Sequence, residues 1–423
     1  MAFKFLHICR DQFRWIFGQV CEALNAKFTN DKDLFILHDF YAMVGGLHFN
    51  QQNSNVKPWW YLTRVVLVTT CVLLIWNLCW QMMNESRLEI LMNTIQIGAG
   101  LIIVLCRTLV IGWNYEKLTN LRRYLNSRKF CRENEVAFKI RRKVYLFIHR
   151  IVLLFVTNSC LMTAPIFIIQ PTAPLRIPFK FGNYVLDIVA QKIYLLMIIQ
   201  IVIDLATNFF VIVMLLTGLT AECEILSKAV AELFKTTILK LETIGPSRSS
   251  SDEQFWTTLN HQFDKCIIQH RTILRHLIDI RPLLEGSFLI TYYTATLNIA
   301  SGAFFLISNL NHINLYIYQI CHYTIVLTLE CFVFTFFTTK LSDAYKSIGQ
   351  SAHEMDWPDH LQHCHQFEHQ YRAVRAKILT MMTVGSQDVR FSAGGYFEFT
   401  QEKFTDLMNK SYSMIMFLWE MRK

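Results

Sequence analysis

Ser411-Tyr412-Ser413-Met414-Ile415-Met416-Phe417-Leu418-Trp419 is an apolar stretch, yet the turns before it, from Thr400 onward, carry Glu402, Lys403, Asp406, Asn409 and Lys410. Ending near Met421, the segment holds fewer than the roughly 18 apolar residues of an ordinary membrane span. Ionisable groups at membrane depth look onto protein or a water-filled cavity. The segment therefore reads as a membrane helix that does not face lipid all round, and as the candidate wall of a pore. Counting it decides the topology, because it makes the number of spans odd and puts the termini on opposite sides.

Upstream, six longer apolar segments stand out: Trp60 to Trp80, Glu89 to Trp113, Val144 to Ile169, Val185 to Leu216, Leu284 to Ser308 and Leu315 to Phe337. Of the 423 residues 53% are hydrophobic and 14% aromatic, too apolar for a soluble protein of this size once the apolar residues fall in runs. The expected fold is all-α and polytopic, with seven transmembrane helices. The net charge of +9 does not point to nucleic acid, because the basic residues sit between spans rather than in a stripe interleaved with aromatics. The twelve cysteines are not a disulfide framework, since Cys71, Cys79, Cys106, Cys160, Cys321 and Cys331 lie within spans, and most read as buried thiols. Met1 to Leu24 carries Lys4, Arg10 and Arg14 and no clean apolar core, which predicts no removable signal peptide.

Orientation follows from the basic residues. The N-terminus and the connections 113–144, 216–284 and 337–400 hold about thirty Lys and Arg, the opposite side about five, so the N-terminus is expected in the cytoplasm. The expected organisation is a cytoplasmic segment (1–59), spans one to four (60–216), a cytoplasmic helical hairpin (217–283), spans five and six (284–337), further cytoplasmic helices (338–399) and the last helix (400–423). Asn84-Glu85-Ser86 in the first outer loop is a candidate glycosylation acceptor at Asn84. A G-protein-coupled receptor also has seven spans but keeps its N-terminus outside.

The cytoplasmic connections are themselves periodic. Ile225, Leu226, Val230, Leu233, Phe234, Ile238 and Leu241 recur at helical spacing until Gly245-Pro246, and Leu259, Phe263, Ile267, Leu274, Leu277 and Ile278 resume beyond a serine-rich linker. The sixth span continues to Trp357-Pro358, and His365 to Met382 predicts another helix before a break at Gly394-Gly395. These stripes either pack on one another or form an inter-subunit anchor, since one pore-wall helix per chain needs several chains to enclose a channel.

His360, His363, Cys364, His365 and His369 resemble metal ligands only by spacing and read as a solvated cluster. No nucleophile elbow, phosphate loop or nucleotide motif occurs, so the chain is expected not to be an enzyme and to need no cofactor or metal. Arg107, Arg150, Asp204 and Glu330 lie inside spans, either as structural pairs or on an ion pathway. In the outer halves of spans two, three, four and six, Met92, Thr94, Asn158, Leu161, Tyr194, Met197, Ile198, Tyr318, His322 and Tyr323 are bundle core or the wall of a cavity. Apolar walls with a few hydroxyl, amide or imidazole groups would suit a small, mostly hydrophobic ligand.

Ala393-Gly394-Gly395-Tyr396-Phe397, then Phe404, then Ser411-Tyr412-Ser413 resembles the C-terminal signature of insect odorant receptors, in which a Gly-Gly-Phe-Phe-like entry leads to Ser-Tyr-Ser-Tyr; Met414 stands in place of the second Tyr. Pro178-Phe179 before Tyr184, Asp204, and Ala344-Tyr345 with Trp357 also look like that family, so the likeness spans the chain. The Thr-Tyr…Gln-Phe ending usual in gustatory receptors, which share the architecture, is absent. The resemblance implies a tuning subunit of an odorant-gated, nonselective cation channel in the plasma membrane of sensory dendrites. Its implied partners are odorant co-receptor subunits in a heterotetramer, membrane lipid and a small volatile molecule. Aligned on Tyr412, it implies a hydrophobic constriction at Ile415, with Leu418 one turn outward, and Ser411 to Leu418 as the stretch facing the ion path.

Overall fold

A computed structural model of the chain describes residues 28–44, 57–168, 175–177, 179, 182–244, 251–308, 315–355, 357–361 and 365–421. The serine linker up to Ser250, His363 and Cys364 lie outside the described residues. The apolar runs become long helices: α1 (Ile36–Val44) precedes α2 (Lys57–Asn84), α3 (Leu88–Trp113), α4 (Tyr115–Ser127), α5 (Glu135–Ile168), α6 (Tyr184–Ala231), α7 (Leu233–Ile244), α8 (Ser251–Ser308) and α9 (Leu315–Glu354). The short α10 (Trp357–His360), α11 (Glu368–Gly385), strands β1 (Ser392–Ala393) and β2 (Phe397–Glu398), and α12 (Gln401–Met421) complete the chain.

Among the described residues, five helices are long and apolar enough to cross a membrane, within Tyr61–Asn84, Ile90–Trp113, Tyr184–Ala231, Asp252–Ser308 and Ile317–Asp359. With 34 and 21 residues, α5 and α12 have the length to cross as well but are not among the five. At 48 residues α6 is about 70 Å long, more than twice a bilayer's hydrocarbon core, so it continues well beyond its apolar segment.

The core runs along α6. Phe209 to Leu216 are all buried, which is what a helix apolar on every side requires of its neighbours. It packs most extensively on α9, while α3 packs on α8 and α12 on α8 and then α9. Phe209 meets Phe155 of α5 at 4.9 Å and Phe334 of α9 at 5.1 Å between ring centres.

Beyond the apolar segments the same helices form a polar-stapled base. Arg141 of α5 donates through Nε and Nη2 to Glu222 of α6, both at 3.0 Å, with the two side chains almost fully buried. Arg122 of α4 holds Asp39 of α1 at 2.7 Å on each carboxylate oxygen and stacks over Phe35, which docks the N-terminal helix. Burial pushes the Asp39 carboxyl up, but His38 and Arg122 outweigh it and hold it below the usual carboxylate range. Where α9 crosses α11, Gly349 and Gly385 touch backbone to backbone: a Cβ on Gly349 would lie 2.6 Å from the Gly385 carbonyl carbon. The break at Gly394-Gly395 is a hairpin turn pairing Ser392 with Glu398, with φ of +59° and +80°. A Cβ on Gly394 would also strike Leu289 of α8 at 2.7 Å, so glycine is required there on two counts.

Candidate functional site

A cavity of about 140 Å3 opens among α2, α3, α6 and α9, near the end of the bundle where α2 stops and α3, α6 and α9 begin. Asn93, Gln96, Ile97, Gly100, Leu101 and Val104 recur at three- and four-residue spacing and give α3 one face toward it. Ile198, Ile201, Val202 and Leu205 do the same for α6, and Gln319, Ile320 and Tyr323 for α9, with Leu74 from α2. Leu175 reaches it from the connection before α6. That connection is pinned by hydrogen bonds: Asn77 Nδ2 donates to the Arg176 carbonyl at 2.8 Å, Gln191 Nε2 to the Leu175 carbonyl at 3.0 Å, and Ile177 N to Gln191 Oε1 at 2.9 Å. The missing side chain of Gly100 leaves room for the Tyr323 hydroxyl, which any Cβ at that position would overlap. The walls are aliphatic, and amides and one phenol supply the polar groups, a composition that suits a small hydrophobic molecule bearing one polar function.

Of the ten residues proposed from sequence, Ile198 and Tyr323 line this cavity. Tyr194 is buried beside it, packed with Leu195, Ile198, Leu73, Leu175 and Ile177. Thr94 is buried with its hydroxyl donated to the Ile90 carbonyl at 2.8 Å, and Met92 and Met197 are half-buried nearby on α3 and α6. Tyr318 is 52% exposed and stacks on His322 at 5.9 Å on the outer side of α9. Asn158 and Leu161 stand on α5, which packs against α6 and α9 and whose described side chains are not among those lining the cavity; Leu161 is exposed. Among the described residues α2 joins α3, α6 and α9 around the cavity, and α6 packs on both α3 and α5. Asn93, Gln96 and Gly100, which sequence reasoning passed over, carried a signal: two amides and a glycine in an otherwise apolar span.

One turn below Val104, Arg107 forms a buried ion pair with Glu330 of α9, donates through Nη2 to Thr291 Oγ1 of α8 at 2.5 Å, and lies 5.3 Å from the centre of the Phe334 ring. Two of the four intramembrane charges are thereby paired across helices. Asp204 is fully buried on α6, and neither carboxylate oxygen has a hydrogen-bond partner among the described residues; Arg150 is exposed on α5.

In α12 the buried positions are Leu407, Ser411 and Leu418, with Phe404, Met414 and Ile415 partly covered. Their spacing is one helical face, turned onto α8, with Phe404 edge-on to Phe332 of α9 at 5.5 Å. Ser411 and Leu418, expected on the ion path, face this chain's own bundle instead, and Ile415 lies at the border. The open face carries Asn409, Ser413, Phe417 and Glu420. At the end of α2, Asn84 is exposed, with Nδ2 donating to the Trp80 carbonyl at 2.9 Å.

The sequence matches the family described as 7tm odorant receptor over residues 87–412. No curated protein matches it. In fold the chain is similar to the insect olfactory receptor OR5 from Machilis hrabei in complex with eugenol, at a TM-score of 0.68 and 12% identity, covering 92% of this chain and 100% of that one. A second structure of the same receptor gives a TM-score of 0.68, 12% identity and coverage of 92% and 99%.

Proposed function

The chain belongs to the 7tm odorant receptor family, and from that premise we propose that it binds a small hydrophobic volatile in the cavity among α2, α3, α6 and α9 and thereby gates a nonselective cation channel. It is a multi-pass membrane protein. In this reading α5 and α12 complete seven spans, the N-terminus is cytoplasmic, Asn84 is an outer glycosylation site, and the chain works in the plasma membrane of a sensory dendrite. It acts as the tuning subunit of a heterotetramer with the odorant co-receptor, and the base formed by 217–283 and 338–399 anchors subunits to one another.

The observation that carries the reading is the cavity itself: aliphatic walls, Asn93, Gln96, Gln319 and Tyr323 as polar groups, and a hydrogen-bonded connection beside Leu175. A fold similar to that of a receptor solved with eugenol supports a ligand of that size class. To gate, the ligand must bind the open arrangement better than the closed one. A physical route exists in α9, which presents Tyr323 to the cavity and, lower down, Phe332 to Phe404 of α12. The ion path then runs along the open face of α12, where Asn409, Ser413 and Glu420 are polar and Phe417 supplies an apolar constriction that can close by dewetting.

The test is co-expression with the co-receptor and recording over an odorant panel. Evoked current is expected, Tyr323→Ala and Gln96→Leu should shift its ligand profile, and the exposed Tyr318→Ala should not. Silence to every odorant would refute the function; a profile unmoved by Tyr323→Ala and Gln96→Leu would refute the cavity.

A further inference from the structure

We propose that a second cleft, between α5, α6 and α9, binds the phosphate-bearing headgroup of an anionic phospholipid. The cleft measures about 500 Å3 and is lined by Lys139 and Lys143 of α5, Lys228 of α6 and Lys340 of α9, with Phe147 and Phe336 among its apolar walls. Lys139 is paired with Glu135 at 2.7 Å, whereas Lys143, Lys228 and Lys340 are exposed and make no ion pair among the described residues. One carboxylate, Glu224, shares the cleft, so three uncommitted ammonium groups face one negative charge. The Thr217 and Thr220 hydroxyls are donated to the carbonyls of Val213 and Leu216, at 2.7 and 2.8 Å.

Depth selects a lipid over a soluble anion. Three hydropathy boundaries converge here: α5 turns apolar at Lys143-Val144, α6 turns polar at Leu216-Thr217, and α9 leaves its apolar run between Phe337 and Lys340. Beside the lysines, Phe147 is 37% and Phe336 42% exposed, an apolar flank for an acyl chain. Lysines at this level bury their stems and extend their ammonium groups to headgroup phosphates. Because they come from three helices, one bound phosphate would tie α5 to α6 and α9.

Placing that headgroup in the cytoplasmic leaflet rests on the cytoplasmic N-terminus proposed above; the cleft itself does not. The full chain with its co-receptor is reconstituted in symmetric nanodiscs of phosphatidylcholine containing a phosphatidylinositol phosphate, and bound lipid is measured by native mass spectrometry. Replacing Lys143, Lys228 and Lys340 together by Gln is expected to reduce bound lipid by roughly a hundredfold, at about fivefold per lysine near a membrane surface. Replacing them by Arg, or replacing the exposed Lys117 and Lys235, which do not line the cleft, by Gln, should retain it. Retention by the triple Gln variant overturns the proposal, as does equal loss in the Lys117/Lys235 control. Displacement by a soluble inositol phosphate at equal affinity makes the site a free-phosphate site and overturns the lipid assignment. Absence of odorant-evoked current from the intact complex, with lipid binding retained, counts against the proposed channel function alone.

Discussion

Replacing Glu330 by Gln should strip a buried arginine of its only carboxylate contact among the described residues. The Arg107 side chain is 0% and that of Glu330 3% exposed, and the guanidinium otherwise meets Thr291 Oγ1 and the face of Phe334. Removing one partner of a buried pair costs about 3–5 kcal/mol, because the other charge stays desolvated. Against a total stability of about 5–15 kcal/mol, that is enough to deplete the folded population. Replacing both residues by apolar groups of similar volume, Arg107→Met with Glu330→Leu, should be neutral or stabilising by about 1–4 kcal/mol. The assay is a double-mutant cycle of Arg107→Met and Glu330→Leu, with Glu330→Gln measured alongside, on purified protein in detergent by thermal and denaturant unfolding, with surface labelling in cells as a parallel readout. A cost of Glu330→Gln below about 1 kcal/mol, the range of a solvated surface pair, would mean that water reaches this layer and would refute the reasoning. A double mutant less stable than either single mutant would refute it too.

Gly349→Val or Gly385→Val should separate α11 from α9 and cost more than about 3 kcal/mol, because the contact is backbone on backbone with nothing able to yield; retention of native unfolding behaviour would contradict it. In channels opened by odorant, Ser413→Cys and Glu420→Cys should react with a water-soluble thiol reagent and alter the current, while Ser411→Cys and Leu418→Cys should not. The reverse pattern would restore the ion-path face expected from sequence. His270 lies against the Tyr345 hydroxyl at 3.1 Å, and burial holds its imidazole below the ordinary value of 6.5. Unfolded chains therefore take up the proton at higher pH than the folded one, so this contribution to stability is complete above about pH 6.5 and is lost as pH falls through that value. Melting compared at neutral and mildly acidic pH should show a smaller acid shift in His270→Gln.

Much of the architecture was legible because hydropathy is written locally along the chain. The expected helix from His365 appears as one 3-10 turn followed by α11. Less was legible where two distant segments had to meet. Arg107 and Glu330 were recognisable as intramembrane charges, but their pairing depends on how α3 and α9 dock. The partner of α1 was not legible either: Leu37 and Ala42 bury it in the main core, and the ion pair between Asp39 and Arg122 joins residues 83 positions apart. The α5 positions Asn158 and Leu161 were grouped with the cavity because their composition resembles that of the residues lining it; composition carries no information about which side of α6 a helix occupies.

The same limit separates what sequence and structure each determined about this protein. By itself the sequence determined the runs long enough to span a bilayer, the asymmetry of basic residues, and the C-terminal signature shared with the odorant receptors, all properties of consecutive residues. Only the tertiary structure decided that α2 contributes to the cavity, that three sets of lysines converge on one cleft, and that α12 buries Ser411 and Leu418 while leaving Ser413, Phe417 and Glu420 open. In a membrane the lipid tails are as apolar as leucine, so hydrophobicity puts a helix in the bilayer without choosing its rotation. That choice comes from packing and from the few polar contacts between helices, which exist only once the helices have met.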